Sequence, residues 1–175
     1  SLPFPIYSDF DTKDYYYKSD LLGSRSYSMT SVNQDSILLA EYNSSTGNTD
    51  TYTKFVMNDG TVYAKKIIFA GAWTSADTVI NGGLLEADEA IYIGEYDMVA
   101  DRRTTLTVNG GTLFAPRVVK TYSGKKPTTV LNINGGTFKA KTDTENYFEN
   151  CGDLVITGDG LGFDTDGHGV VTHNH

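Results

Sequence analysis

At 175 residues the chain is sized for one domain with a substantial core. Its net charge of −8, from 22 acidic and 14 basic residues, disfavours binding to nucleic acid or to an anionic membrane surface. A single cysteine, Cys151, excludes an internal disulfide, no apolar run nears the roughly 20 residues that insert across a bilayer, and 18 Gly with 12 Tyr favour strands and tight turns over helices.

The opening SLPFPIYSDF is not a signal peptide, so an exported protein would carry its signal outside this sequence. Residues 1–36, which include DTKDYYYKSDLLGSRSYS, are rich in Tyr, Ser and charge and match nothing later in the chain. From residue 37 onward the sequence repeats itself. Five related phrases follow one another: FVMNDGTVYA (55–64), TVINGGLLEA (78–87), LTVNGGTLFA (106–115), LNINGGTFKA (131–140) and a decayed LVITGDGLGF (154–163). Their turns begin at Asn58, Asn81, Asn109, Asn134 and Thr157, giving steps of 23, 28, 25 and 23 residues. A second apolar phrase falls between them, as ILLAEYN (37–43), IIFAGAW (67–73), IYIGEYD (91–97) and VVKTYSG (118–124).

A period of this length in strand-type composition predicts an all-β solenoid, one coil per repeat. Alternation assigns the faces. Phe55/Met57, Thr78/Ile80, Leu106/Val108, Leu131/Ile133 and Leu154/Ile156 share one parity and are expected inward. After the turn, Val62, Leu85, Leu113, Phe138 and Leu161 form a second inward column. The Asn-Gly turn calls for positive φ, expected at residues such as Gly110. Asn58, Asn81, Asn109 and Asn134 then form a structural ladder if their amides point inward and bond along the stack. A β-sandwich also has many short strands, but does not need the same residue types at the same register in each repeat.

The run IYIGEYDMVADRRTTLTVNGGTLFA (91–115) resembles the repeats in passenger regions of bacterial autotransporters (type V secretion) and in PEP-CTERM-associated surface proteins. The resemblance implies a right-handed parallel β-helix of about five to six coils, export, and an extracellular or cell-surface location. It carries no shared catalytic residues. Asp59 in the first copy and Thr157 in the last depart from the pattern, and the loops are longer and more charged. The chain then divides into an N-terminal cap or irregular coil (1–36), solenoid repeats (37–163) and a polar C-terminal tail (164–175), and reads as part of a longer protein.

Chemistry-bearing residues are few. Tyr42, Trp73, Tyr96 and Tyr122 fall where the first strand of each coil meets its variable loop, so stacking aligns them in an aromatic stripe. The loops beside it are SSTGNTDTY (44–52), TSAD (74–77), MVADRR (98–103) and SGKKP (123–127). Aromatic faces beside polar groups suit sugar rings, with Asp97, Arg102 and Arg103 as polar partners. The plainer reading is an external ring ladder that binds nothing. Glu95, Asp97, Asp101, Arg102 and Arg103 are the carboxylates and cations a polysaccharide lyase or hydrolase would use, yet they fall in one mixed-charge loop.

Asp159, Asp164 and Asp166, in GDGLGFDTDGHG (158–169), match fragments of calcium-binding loops, without the closing Glu or the tandem copies such sites need. His168, His173 and His175 offer a terminal metal-binding pair in HNH. No nucleophile motif is present. The expectation is a non-enzymatic extracellular scaffold or adhesin-like module that presents variable loops to a glycan or a surface protein, with no required cofactor. The alternative is a carbohydrate-binding module using the aromatic stripe, and the third reading is a polysaccharide-degrading enzyme.

Overall fold

The computed structural model describes residues 6–7, 26–38, 51–69, 74–94, 103–121 and 128–172. Tyr42, Trp73, Tyr96, Asp97, Arg102 and Tyr122 lie outside these residues, as do Glu95, Asp101, His173 and His175. The described residues contain strands and turns and no helix. In chain order the strands are β1 (Ile6–Tyr7), β2 (Ser26–Leu38), β3 (Thr51–Met57), β4 (Thr61–Ile68), β5 (Thr74–Ile80), β6 (Leu84–Gly94) and β7 (Arg103–Val108). They continue as β8 (Thr112–Phe114), β9 (Val118–Lys120), β10 (Thr128–Ile133), β11 (Thr137–Lys139), β12 (Phe148–Glu149), β13 (Leu154–Ile156) and β14 (Gly162–Asp164).

Two parallel stacks share the long strand β2. One runs β2, β3, β5, β7, β10, β13, and the other runs β2, β4, β6, β8, β11, β14, with β9 and β12 extending the second. Only β1 pairs antiparallel, against β2. The chain therefore winds as a parallel β-solenoid, and the described strands make about four of the expected turns.

Side-chain alternation dictates this winding. In β7, Thr104, Leu106 and Val108 are buried, and in β10 the same places are taken by Thr129, Leu131 and Ile133. Register stacks like on like: Leu131 lies between Leu106 and Leu154, and Ile133 between Val108 and Ile156. Across the core, Val62, Leu85, Leu113 and Phe138 form the facing column. Ile67, Ile91 and Val118 form a third, which Phe148 joins although no repeat phrase marks it. Apart from Leu154, which packs against it partly buried, and the exposed Ile156, the apolar residues of these columns belong to one buried cluster. Each fully buried side chain of this size contributes about 1.5–3 kcal/mol, so the columns dominate stability. Below Phe138 the core turns aromatic, with Phe148 at 5.1 Å and Tyr147 at 6.4 Å, both edge-on.

Four details differ from the sequence-based expectation. Positive φ falls on the second glycine of the turn at Gly83 (φ 87) and Gly111 (φ 77) and not on Gly82 or Gly110, whereas the fourth turn has it on both Gly135 and Gly136. Gly110 is required for another reason: a Cβ there would lie 2.5 Å from the carbonyl oxygen of Asn81 in the preceding coil. TSAD (74–77) is the first half of β5 and pairs with β3, so it is strand and not loop. In the last copy Ile156 is exposed, and Phe163 instead of Leu161 stands opposite Phe138. The turn from Ile156 to Gly162 is two residues longer than the one from Ile133 to Thr137, which shifts the column. Beyond β14 the chain stays on the stack, with Gly169, Val171 and Thr172 carbonyls accepting from the amides of Thr144, Tyr147 and Phe148.

Candidate functional site

In the first four repeats the residue before the closing alanine (Ala64, Ala87, Ala115, Ala140) points away from the core, and with Asp164 of the last coil these residues share one register on the outside of the second stack. Tyr63, Glu86, Phe114, Lys139 and Asp164 are consecutive cross-strand neighbours in this outer column. Beside it the register slips: Ala64 pairs with Ala87 but Lys66 pairs with Ala90, so β6 carries one extra residue at Asp88–Glu89. This bulge leaves both side chains at the surface and turns Asp88 toward the column. Lys141, just past β11, reaches back to the same place.

Lys141 Nζ lies 2.7 Å from Glu86 Oε2 and 2.7 Å from Asp88 Oδ1. Tyr63 donates its hydroxyl to Asp88 Oδ2. The Lys141 ammonium is also 4.6 Å from the Phe114 ring centre and 5.9 Å from that of Tyr63. Lys139 lies over the same Phe114 ring at 4.8 Å. The cluster thus combines two rings, two carboxylates and two ammonium groups drawn from β4, β6, β8, β11 and the segment after β11.

Its electrostatics are mutually supporting. Hydrogen bonds from Lys141 and then Tyr63 hold the Asp88 carboxyl below its usual range. Burial pulls Lys141 down, but hydrogen bonds to Asp88 and Glu86 outweigh it and raise the ammonium above its ordinary value. The bond to Asp88 raises the Tyr63 phenol. At neutral pH the lysine is therefore a cation and the tyrosine a neutral donor. The Lys141 ammonium is occupied by its two carboxylates, while Lys139 rests on a ring with no carboxylate within ion-pair distance among the described residues. Such a strip offers apolar ring area, donors and acceptors side by side, which is what a polyhydroxylated ring needs.

The asparagine ladder runs along the outside of the corner, since Asn58, Asn81, Asn109 and Asn134 are all exposed. Asn81 Nδ2 donates to Asn58 Oδ1 at 2.8 Å, and Asn109 Nδ2 to Asn81 Oδ1 at 2.8 Å. Inward placement is prevented by β3, β5, β7 and β10 themselves: each ends on a buried residue, Met57, Ile80, Val108 or Ile133, so the next position points out. The Asn134 amide fills the space where any side chain at position 158 would sit, and that position is glycine.

Arg103 opens β7 at the surface and its backbone amide donates to Ser75 Oγ at 3.2 Å. Asp159 lies in the β13–β14 turn, and Asp164 and Asp166 are joined by an Asp166 amide bond to Asp164 Oδ1 at 2.9 Å. His168 Nδ1 is 3.5 Å from Asp143 Oδ1, which also accepts from the Gly169 amide. The described acidic, His and Cys residues form no group of three that would hold a metal ion. Cys151 is buried, bonded to the carbonyls of Val118 and Glu149, and burial pushes its thiol up to about 12, far from a nucleophile's range.

The outer column was legible in the alternation, because Tyr63, Glu86, Phe114 and Lys139 occupy one place in four aligned phrases. Asp88 and Lys141 were not, since only the bulge and the return of the chain after β11 bring them in. Comparison of the sequence with protein-family models gave no match, and neither curated proteins nor solved structures gave one.

Proposed function

We propose that this protein is a non-enzymatic surface scaffold, an adhesin-like solenoid stem that holds variable segments out for recognition. The observation that supports it is the contrast between constant and variable parts. Turns at Asn58, Asn81 and Asn109 keep their register and amide contacts although the repeats between them are 23 and 28 residues long. Extra residues go to the connections and to the bulge at Asp88, which leaves the core columns continuous. A rigid stem with tolerant connections is what presentation requires. The extracellular location rests on the resemblance of 91–115 to secreted and surface-anchored repeats.

The test replaces 44–49 and 98–101 with Gly/Ser segments of equal length. The scaffold reading expects thermal melting close to that of the parent protein, with adhesion to immobilised cell-surface glycans and proteins sharply reduced. Adhesion that survives both replacements would move recognition from the loops to the stem.

A second reading has its own observation. The column Tyr63, Glu86, Phe114 and Lys139 gives the stem a ring-and-charge strip suited to saccharide binding. In that case Phe114→Ala weakens retention on glycans while loop replacement does not.

A further inference from the structure

The outer corner of the coil joins two requirements. The ladder needs an asparagine at the start of each turn. The next position needs glycine, because a Cβ at Gly82, Gly110 or Gly135 would lie 2.5, 2.5 or 2.8 Å from the backbone oxygen of Asn58, Asn81 or Asn109 in the coil before. Stacking therefore forces the pairs Asn81-Gly82, Asn109-Gly110 and Asn134-Gly135, each with its asparagine exposed. A glycine nitrogen has unhindered access to the side-chain carbonyl carbon of the asparagine before it, and closure of an imide ring there is how asparagine loses its amide without an enzyme.

The three pairs are not equivalent. Asn81 is held at both ends of its amide, donating to Asn58 Oδ1 and accepting from Asn109 Nδ2, each at 2.8 Å. Asn109 makes only the donated bond, and its Oδ1 meets no donor among the described residues. Asn134 stands off the ladder with its Oδ1 over Gly158, and the nitrogen that would attack it is engaged: the buried Gly135 donates to Gly160 O at 2.8 Å. The amides of Gly82 and Gly110 are half-buried and have no acceptor among the described residues. Ring closure swings the side chain back over its own main chain, so its ladder bonds must break first. Asn81 has two to break and Asn109 one, while Asn134 waits on the Gly135–Gly160 bond. At the usual net strength of a hydrogen bond, one more bond slows the reaction by about fivefold.

We propose that Asn109 is a site of spontaneous covalent modification, which deamidates ahead of Asn81 and Asn134 and opens the ladder from that rung. The Gly110 nitrogen bonds to Asn109 Cγ and the Cγ–Nδ2 bond breaks; the departing amide takes the proton that the Gly110 nitrogen gives up and leaves as ammonia. Water then adds across one of the two C–N bonds of the imide, which leaves aspartate or isoaspartate at 109. Neither step needs an oxidant, a reductant or a second protein. Either product puts a carboxylate oxygen where Nδ2 donated to Asn81 Oδ1, so that bond is lost. Isoaspartate also lengthens the main chain between β7 and β8. Asn81 then keeps one ladder bond, as Asn109 did, and is next in order.

The test ages the folded full chain at mildly alkaline pH in heavy-oxygen water and maps its peptides by mass spectrometry, with isoaspartate separated from aspartate by chromatography. Asn109 is expected to convert first, about fivefold or more ahead of Asn81 and Asn134, and to take up one heavy oxygen per event. Ageing in urea is the reference, because the unfolded chain presents three like Asn-Gly pairs and should convert them at similar rates. Asn81→Ala removes the acceptor of Asn109 Nδ2 and is expected to speed conversion at 109 about fivefold, with 134 held at the parent rate. The proposal is overturned if Asn81 or Asn134 converts first in the folded chain, or if no site converts there while all do in urea. It is equally overturned if the folded order persists in urea, if Asn81→Ala leaves 109 at the parent rate, or if it speeds 134 as much as 109.

Discussion

A side chain at Gly110 would meet the carbonyl of Asn81 in the coil behind it, 2.5 Å from where its Cβ would lie. Gly110→Val is expected to lower stability by about 1–3 kcal/mol through overpacking against that carbonyl, measured by urea denaturation. The turn was readable from Asn-Gly-Gly, but which glycine needed positive φ was not, because the clash at Gly110 involves the coil behind it and not its own backbone. Asn81 sits mid-ladder and makes two amide bonds, whereas Asn58 makes one to Asn81. Asn81→Ala should therefore cost about 1 kcal/mol at this exposed corner and more than Asn58→Ala; the reverse order in matched melts would contradict the ladder. For Asp88, hydrogen bonds from Lys141 and Tyr63 depress the carboxyl, so its contribution is present above the unfolded value near 3.8 and is lost as pH falls through the lower folded value. In Lys141→Met the Asp88 titration, followed by carboxyl-carbon NMR, should move up toward the ordinary range, and the variant should lose less stability than the parent on acidification.

Among the elements, β7 and β10 are interchangeable in pattern and register, and their assignment needed nothing beyond alternation. β13 looks the same in sequence, as LVI after LNI and LTV, yet Leu154 is half-covered and Ile156 exposed. Burial depends on a coil stacking on both sides, which no single-strand pattern encodes. Leu131→Ala is therefore expected to cost about 2–5 kcal/mol and Leu154→Ala about 1 kcal/mol or less, measured by chemical denaturation. Equal losses would mean that the last coil is as enclosed as the middle ones. The bulge at Asp88–Glu89 escaped the sequence for a related reason. EADEAI reads as a continuous strand until Ala87 and Ala90 are seen to pair with residues only two apart, Ala64 and Lys66. With that one residue comes the only place among the described residues where Lys141 meets two carboxylates.

On the scale of the whole molecule, repeated inward columns make a continuous stem, and among the described residues the exposed large apolar side chains, Val155, Ile156 and Val171, lie in the coil that follows β12. The stem carries an outer strip in which Lys141, Glu86, Asp88 and Tyr63 are engaged with one another. The account is tested most directly by applying the protein to a panel of immobilised polysaccharides and scoring retention together with release of reducing ends. A scaffold or adhesin-like module is expected to be retained on some surfaces and to release nothing. Release of reducing ends that disappears in Glu86→Gln or Lys141→Met would make the outer strip an active site and contradict it.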